Sequence, residues 1–385
     1  MEKIKKINIL QIITNLELGG AQKHVLSLTK GLDSSKYETH LISAPQGLLL
    51  GDAQSLGNVH LCLLSTLKRR ISPVNDLKSL FFIIQYIKKH NIQIVHTHSS
   101  KAGIIGRWAG RIAGVKAIIH TIHGWSFNDY LRMPLKWIYI LLERLTATIT
   151  TAFIAVSKSD IRKGLQYKIG QVQQYHLIHY GIKVNVNIKA EQQVRLKQEL
   201  GIDEGKVCIG MIACLKPQKN PLDFVRLARN VCMKYPEVVF LSIGDGILHD
   251  QMQSLIVKEN LQSRIKLCGW RQDIEACLGI IDIIVLTSLW EGMPIALLEA
   301  MAFSRPVIAY ACDGVKEMIQ EGVNGYLIQP RDVIAMSSKV DFLLKNPDKA
   351  ELMGTRARAF FERQVFRTDN MLKQTQQIYD ACLAG

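Results

Sequence analysis

Two glutamates with seven residues between them, Glu291 and Glu299, sit in the stretch Trp290-Glu291-Gly292-Met293-Pro294-Ile295-Ala296-Leu297-Leu298-Glu299. Upstream, residues 282–287 form an apolar run of strand length, rich in branched side chains. After a polar turn, Pro294 suits the first position of a helix, where its missing N–H costs nothing. Residues 295–303 then read as a buried helix, inside which the Glu299 carboxylate is costly unless it is bonded to something. The turn leaves N–H groups of Met293, Ile295 and Ala296 without helical partners, and the helix dipole adds positive charge, so a phosphate fits there. Glu299, one and a half turns deeper, could accept two hydrogen bonds from a sugar diol, and Glu291 on the rim could reach beyond the phosphate. The same spacing also allows Glu299 to cap a neighbouring backbone and Glu291 to be merely solvated.

Other candidates stand at the ends of apolar runs. Gly19 and Gly20 follow the first of these and open a helix, which suits close backbone approach to a phosphate or sugar, or simply a turn. His96 and His98 share one face of a strand, yet no third ligand follows at a metal-motif spacing, so packing or hydrogen bonding outweighs metal binding. Lys101 could meet a phosphate. His123, before Gly124 and Trp125, could turn its imidazole or its carbonyl toward a ligand. Lys216 and Lys219 punctuate the loop after residues 207–213, and Gly269-Trp270-Arg271 closes a later run.

What must position these residues is an alternation of short apolar strands and helical segments. Strands are expected near 7–13, 39–43, 92–97, 116–121, 152–156 and 175–179, with helices after Gly20 and near 76–90 and 102–113. Such alternation means parallel sheets covered on both faces, with ligands beyond the carboxyl ends of the strands. Length favours two domains. They are drawn at 1–183 and 206–367, with residues 184–205 as a link and a last helix near 368–383. Residues 130–145 read as a core helix with a basic exposed face, or as a helix on a membrane interface.

The net charge of +15 is uneven. Residues 1–180 carry 23 Lys and Arg against 9 Asp and Glu, whereas residues 181–385 carry 25 against 24. A basic first half attracts an anionic membrane surface or a phosphorylated substrate, or only keeps the chain solvated. Without finger spacing, RNA-binding aromatic signature or basic arm, nucleic acid is not expected as a partner. Eight cysteines lack any paired short spacing, which suggests reduced thiols in the cytosol and no zinc site. Lys3, Lys5 and Lys6 lead into a run that Asn8 and Gln11 interrupt, better read as a first strand than as a signal peptide. Glu143 and Arg144 argue against a span over residues 137–156.

Taken with Arg305-Pro306-Val307-Ile308-Ala309 and Gly322-Val323-Asn324-Gly325-Tyr326, the two-glutamate stretch resembles the Glu-x7-Glu signature of the retaining glycosyltransferases of family four. The elements Ser100-Lys101-Ala102-Gly103 and His123-Gly124-Trp125-Ser126-Phe127 are similar to capsule and lipopolysaccharide enzymes of that kind. The resemblance implies the GT-B fold, two Rossmann-like domains facing a central cleft. The second would hold a nucleotide sugar and the basic first domain a glycan or lipid-linked acceptor, on the cytoplasmic side, either free or peripheral on the inner membrane face.

It gives Lys219 the donor pyrophosphate, with His123 and Glu291 steadying the reacting sugar. Gly292 to Ala296 cradle phosphate, Glu299 takes the ribose, Gly269, Trp270 and Arg271 face the base through backbone groups, and Gly20 belongs to the glycine loop. On the acceptor side it points to His96, His98, Lys101 and Trp125. The family's arginine position, five residues before Lys219, is Cys214 here, and Lys216 is the proposed substitute. No Asp-x-Asp occurs, so neither a divalent ion nor another cofactor is expected. A nucleotide-sugar epimerase and a non-catalytic sugar-nucleotide-binding subunit are the alternatives.

Overall fold

The computed structural model describes residues 6–384, apart from the Gln364 side chain; Lys3 and Lys5 lie outside the described residues. The chain forms two units, one ending at Gly181 and resuming at Arg367, the other Ile182–Phe366. Segment 184–205, expected as a link, therefore belongs to the second unit.

The first unit runs β1 (Ile7–Ile12), α1 (Gly20–Gly31), β2 (Tyr37–Ser43), α2 (Leu50–Gln54), β3 (Val59–Leu63), α3 (Pro73–Lys89) and β4 (Ile94–His98). It continues with α4 (Ser100–Ala113), β5 (Ala117–Ile122), α5 (Met133–Ala147), β6 (Ala152–Ala155), α6 (Lys158–Gln166) and β7 (Tyr175–Leu177). The second runs α7 (Ala190–Glu199), β8 (Cys208–Ile212), α8 (Pro221–Cys232), β9 (Val239–Ile243), α9 (His249–Lys258), β10 (Ile265–Leu267) and α10 (Ile274–Ile280). There follow β11 (Ile283–Leu286), α11 (Ile295–Ala302), β12 (Val307–Tyr310), α12 (Val315–Met318), β13 (Gly325–Ile328), α13 (Val333–Lys345) and α14 (Pro347–Phe361). The last helix, α15 (Thr368–Ala384), returns to the first unit.

All strand pairs are parallel, in the orders β3-β2-β1-β4-β5-β6-β7 and β10-β9-β8-β11-β12-β13. Each sheet is buried on both faces, which is why its strands read as near-continuous apolar runs. In the first unit, Ile9, Ile94 and Ile154 pack on Met371 and Tyr379 of α15. Leu10, Ile12 and Val95 pack on Ile83 and Ile87 of α3 and on Ile105 of α4. Strand order reverses between β1 and β4 and again between β8 and β11, and ligands gather beyond the strand ends at such points. The loops after β8 and β11 carry Lys219 and Glu291.

Three expectations change. The edge strand β3 was not anticipated, because its alternating half-exposed residues give a weak apolar signal. Pro294 is not the first helical residue but the cap before it, its ψ of 111° being extended, so that α11 begins at Ile295. Nor is α5 a core helix with a basic outer face: Trp137 is 49% exposed, while Glu143 is buried and paired with Arg107 at 2.6 Å. Among the described residues no helix is long and apolar enough to cross a membrane.

The far end of α11 is held by close approach. A Cβ on Gly354 of α14 would lie 1.9 Å from the Ser304 carbonyl oxygen, just past α11. Gly354→Ala must therefore push α14 off and destabilise the second unit by about 1–3 kcal/mol. Thermal unfolding checks this; an unchanged melting temperature would contradict it.

Candidate functional site

Lys219 and Glu291 form an ion pair at the β8/β11 reversal, with side chains 16% and 7% exposed. Several bonds fix their loops. The Thr287 hydroxyl, at the end of β11, faces the carbonyls of Lys219 at 2.8 Å and Asn220 at 3.0 Å. Leu289 N–H donates to the Gln218 carbonyl at 2.8 Å, and Gln218 Nε2 donates to the Trp290 carbonyl at 2.8 Å and to Glu291 Oε2 at 3.4 Å. From the β12 side, Asp313 Oδ2 accepts from Glu291 N–H at 3.2 Å. The nearby Cys312 thiol is pushed up by burial and then by the carboxylates of Glu291 and Asp313, so it stays protonated beside them.

The chain then enters α11. Glu291, Gly292, Met293, Pro294 and Ile295 are all buried. Among the described residues the N–H groups of Gly292, Met293, Ile295 and Ala296 donate to nothing, and Ser288 Oγ, in a residue 1% exposed, has no partner. Buried donors rarely stay unpaired, and these open the helix that follows Glu291, the partner of the Lys219 ammonium, so the segment has the donors an oxyanion needs. Within α11, Ala296 and Glu299 are the half-buried positions, and at i and i+3 they share one face. Glu299 thus avoids the apolar interior expected for it, and is itself engaged in a contact.

The flanking positions differ. Lys216, half-buried and engaged, lies in the same loop and its carbonyl accepts from Lys219 N–H at 2.9 Å. Gly269 has φ +62°, and its carbonyl accepts from Gly244 N–H at 2.7 Å. Trp270 is 37% exposed beside it. The Arg271 guanidinium is committed to Glu199 at 2.7 Å and to Asp273 at 2.8 Å, which leaves recognition in this loop to backbone and indole.

In the first unit, histidines form a buried relay at the ends of β4 and β5. Gln11 Nε2 donates to the Tyr379 hydroxyl at 3.0 Å, so that hydroxyl donates to His96 Nδ1 at 2.6 Å, and His96 Nε2–H reaches Thr121 Oγ1 at 2.7 Å. Gln11 Oε1 accepts from His98 Nε2–H at 2.8 Å. His98 Nδ1 accordingly accepts from His123 Nε2–H at 3.0 Å, and His123 Nδ1 from the Tyr180 hydroxyl at 2.7 Å. One neutral tautomer thus satisfies every nitrogen of this relay. Burial lowers the pKa of His96, His98, His120 and His123 well below the ordinary 6.5, and that of His24 to about 4.

The acceptor-side expectations change accordingly. His96 and His98 are fully buried with both nitrogens engaged, and Trp125, 6% exposed, donates its indole N–H to the Asp160 carbonyl at 2.8 Å. These three hold the sheet end together rather than line a surface. Lys101 pairs with Asp76 at 2.6 Å. His123 remains half-buried, its ring 5.2 Å from that of His24 in α1, the helix that Gly20 begins. Among the described residues, His24, His98 and His123 have ring nitrogens within 4.8 Å of one another, as do ligand atoms of Glu38, His40 and His60, but in the first group His98 and His123 already spend both nitrogens in the relay.

Residues 18–186 match the family described as Glycosyltransferase Family 4, and residues 192–360 match Glycosyl transferases group 1. The chain is 33% identical over 332 residues, 85% of each chain, to the UDP-Gal:alpha-D-GlcNAc-diphosphoundecaprenol alpha-1,3-galactosyltransferase of Escherichia coli. It is 28% identical to the putative glycosyltransferase EpsD of Bacillus subtilis, over 77% of this chain and 78% of that one. In fold it is similar to Anabaena HepE in complex with UDP and glucose, with TM-score 0.84, 18% identity, and 97% and 100% of the two chains covered.

His24, whose ring packs against His98 and His123 of the relay, carries a pH dependence. Between 6.5 and about 4 the unfolded chain takes up protons on its histidines that folded His24 does not, so stability present above 6.5 is lost as pH falls through that window. Urea unfolding of the first unit should show a lower midpoint at about pH 5 than at about pH 7. A midpoint equal or higher in acid would contradict the neutral relay.

Proposed function

From the premise that the chain belongs to the family-four glycosyltransferases and has their GT-B fold of two Rossmann-like units, we propose the following transfer. A sugar moves from a nucleotide sugar to a glycan or lipid-linked acceptor, with retention at the anomeric carbon and without a divalent ion or other cofactor. The single observation carrying this reading is the Lys219–Glu291 ion pair at the β8/β11 reversal, on the loop that leads into the unpaired amides opening α11.

The energetic difficulty in such a transfer is negative charge growing on the departing diphosphate. Donors aimed in advance at that charge, in a buried site, lower the barrier most. Lys219 and the amides of Gly292, Met293, Ile295 and Ala296 are such donors, and Lys216 is the proposed second cation in place of the family's arginine. Because Gln218 also holds Glu291, the carboxylate has a partner when phosphate takes over Lys219, and its free oxygen can accept from sugar hydroxyls. Glu299 would take the ribose diol, and Gly269 with Trp270 the base. His123, kept neutral, would line the sugar without acting as a base.

The names of relatives support the substrate classes: the Escherichia coli enzyme takes a UDP-sugar and a diphosphoundecaprenol-linked acceptor, and HepE was solved with UDP-glucose. A diphosphate-linked lipid acceptor suits the basic first half and supports the reading of a peripheral protein working at the cytoplasmic face of a membrane.

A panel of UDP-sugars tested by thermal shift should contain one that raises the melting temperature by mass action. The product's anomeric configuration, read by NMR, should match the donor's, and chelator should leave turnover intact. No shift with any nucleotide sugar, an inverted product, or activity restored only by magnesium would each overturn part of the reading. Lys219→Met should cut turnover by about 10²–10³-fold. Adding Glu291→Gln should restore the melting temperature, by removing the orphaned charge, without restoring turnover; recovery of both would contradict a direct role for Lys219.

A further inference from the structure

In the first unit, α4 packs between α3 and α5, forming a layer over one face of the sheet. The helix α5 is apolar on both sides. Its inward stripe packs Ile140 and Ala147 into the core together with Glu143, paired with Arg107 at 2.6 Å, and Thr146, whose Oγ1 accepts from Trp108 Nε1 at 3.1 Å. Its outward stripe is apolar, with Met133 60%, Trp137 49%, Ile138 53%, Leu141 56% and Leu145 52% exposed. The neighbouring helices continue the surface through Leu77 and Phe81 of α3, 54% and 58% exposed, and Ile112 of α4, 55% exposed. Soluble surfaces scatter single apolar residues and do not gather them across three adjacent helices.

Charge selects the occupant. Residues 68–148 hold thirteen Lys and Arg against three Asp and Glu, a net of +10. All three acids are already ion-paired, Asp76 with Lys101, Asp129 with Lys136 and Glu143 with Arg107. Lys78, Arg111 and Arg132 are exposed on the same layer. A second copy would bring the same positive charge against this face, whereas an anionic bilayer complements both the charge and the apolar stripe. With no helix among the described residues long and apolar enough to span, α5 would lie in the plane of the interface, with Trp137 at headgroup depth.

We propose that the outer face of α3, α4 and α5 docks on an anionic phospholipid bilayer, with α5 seated in the interface. This rests on the peripheral-membrane reading given above and names its surface.

Vesicle sedimentation of the full chain tests it, with phosphatidylcholine alone or mixed with phosphatidylglycerol. Wild type should pellet with the mixed vesicles, far less with phosphatidylcholine, and less at high salt. Trp137→Glu with Leu141→Glu should weaken binding about tenfold or more. The two positions are already exposed, so circular dichroism, UDP-sugar thermal shift and turnover on a water-soluble acceptor should be unchanged. Wild-type binding that the double variant leaves intact overturns this surface while membrane contact itself survives. No binding to either vesicle overturns the peripheral reading as well. Equal binding to both vesicles overturns the anionic assignment, and a dimer that the double variant dissociates without loss of vesicle binding makes the face a contact between copies.

Discussion

A lysine and a glutamate confined together at the reversal point of a parallel sheet govern the second unit. Lys219 and Glu291 neutralise each other, and breaking such a pair leaves a charge at a cost of roughly 3 kcal/mol or more when burial is deep. The loops after β8 and β11 are therefore held together, and Thr287, Gln218 and Asp313 add bonds that fix their spacing. The proposed anion capture depends on that spacing, because the open amides of α11 follow Glu291 directly in the chain. An anion entering there finds donors whose orientation was established by folding, with little reorganisation left to do.

The first unit solves a different problem, keeping polar groups buried at its sheet ends without charge. Gln11, in the first strand, sits between Tyr379 of the last helix and His98 of β4 and serves both, through its amide nitrogen and its oxygen respectively. A single residue thereby sets the proton positions of His96, His98 and His123. The same unit turns its most apolar helix outward and keeps Glu143 inside, so that its exposed face is fitted to something other than water.

Much of this was legible in the sequence where local pattern decides it. The alternation of apolar runs pointed to the two parallel sheets, and the strand, turn and apolar helix around Glu291 are where the sequence placed them. Where long-range partners decide, it was not legible. Gln11 registered only as an interruption of an apolar run, although a polar residue within a strand buried on both faces is itself a sign of a buried bond. Tyr379 is 283 residues from His96, a separation no local pattern spans. The orientation of α5 was misread because apolar content says how much of a helix avoids water, not on which side. Lys101 looked like a free cation because its carboxylate, Asp76, lies on another helix 25 residues earlier.

The account stands on oxyanion capture by the amides that open α11. Amide hydrogen exchange with and without UDP measures this directly. Slowed exchange at Gly292, Met293, Ile295 and Ala296 on adding UDP, absent in Lys219→Met, is the predicted result. Exchange at those amides unaltered by saturating UDP, with protection located elsewhere in the chain, would contradict it.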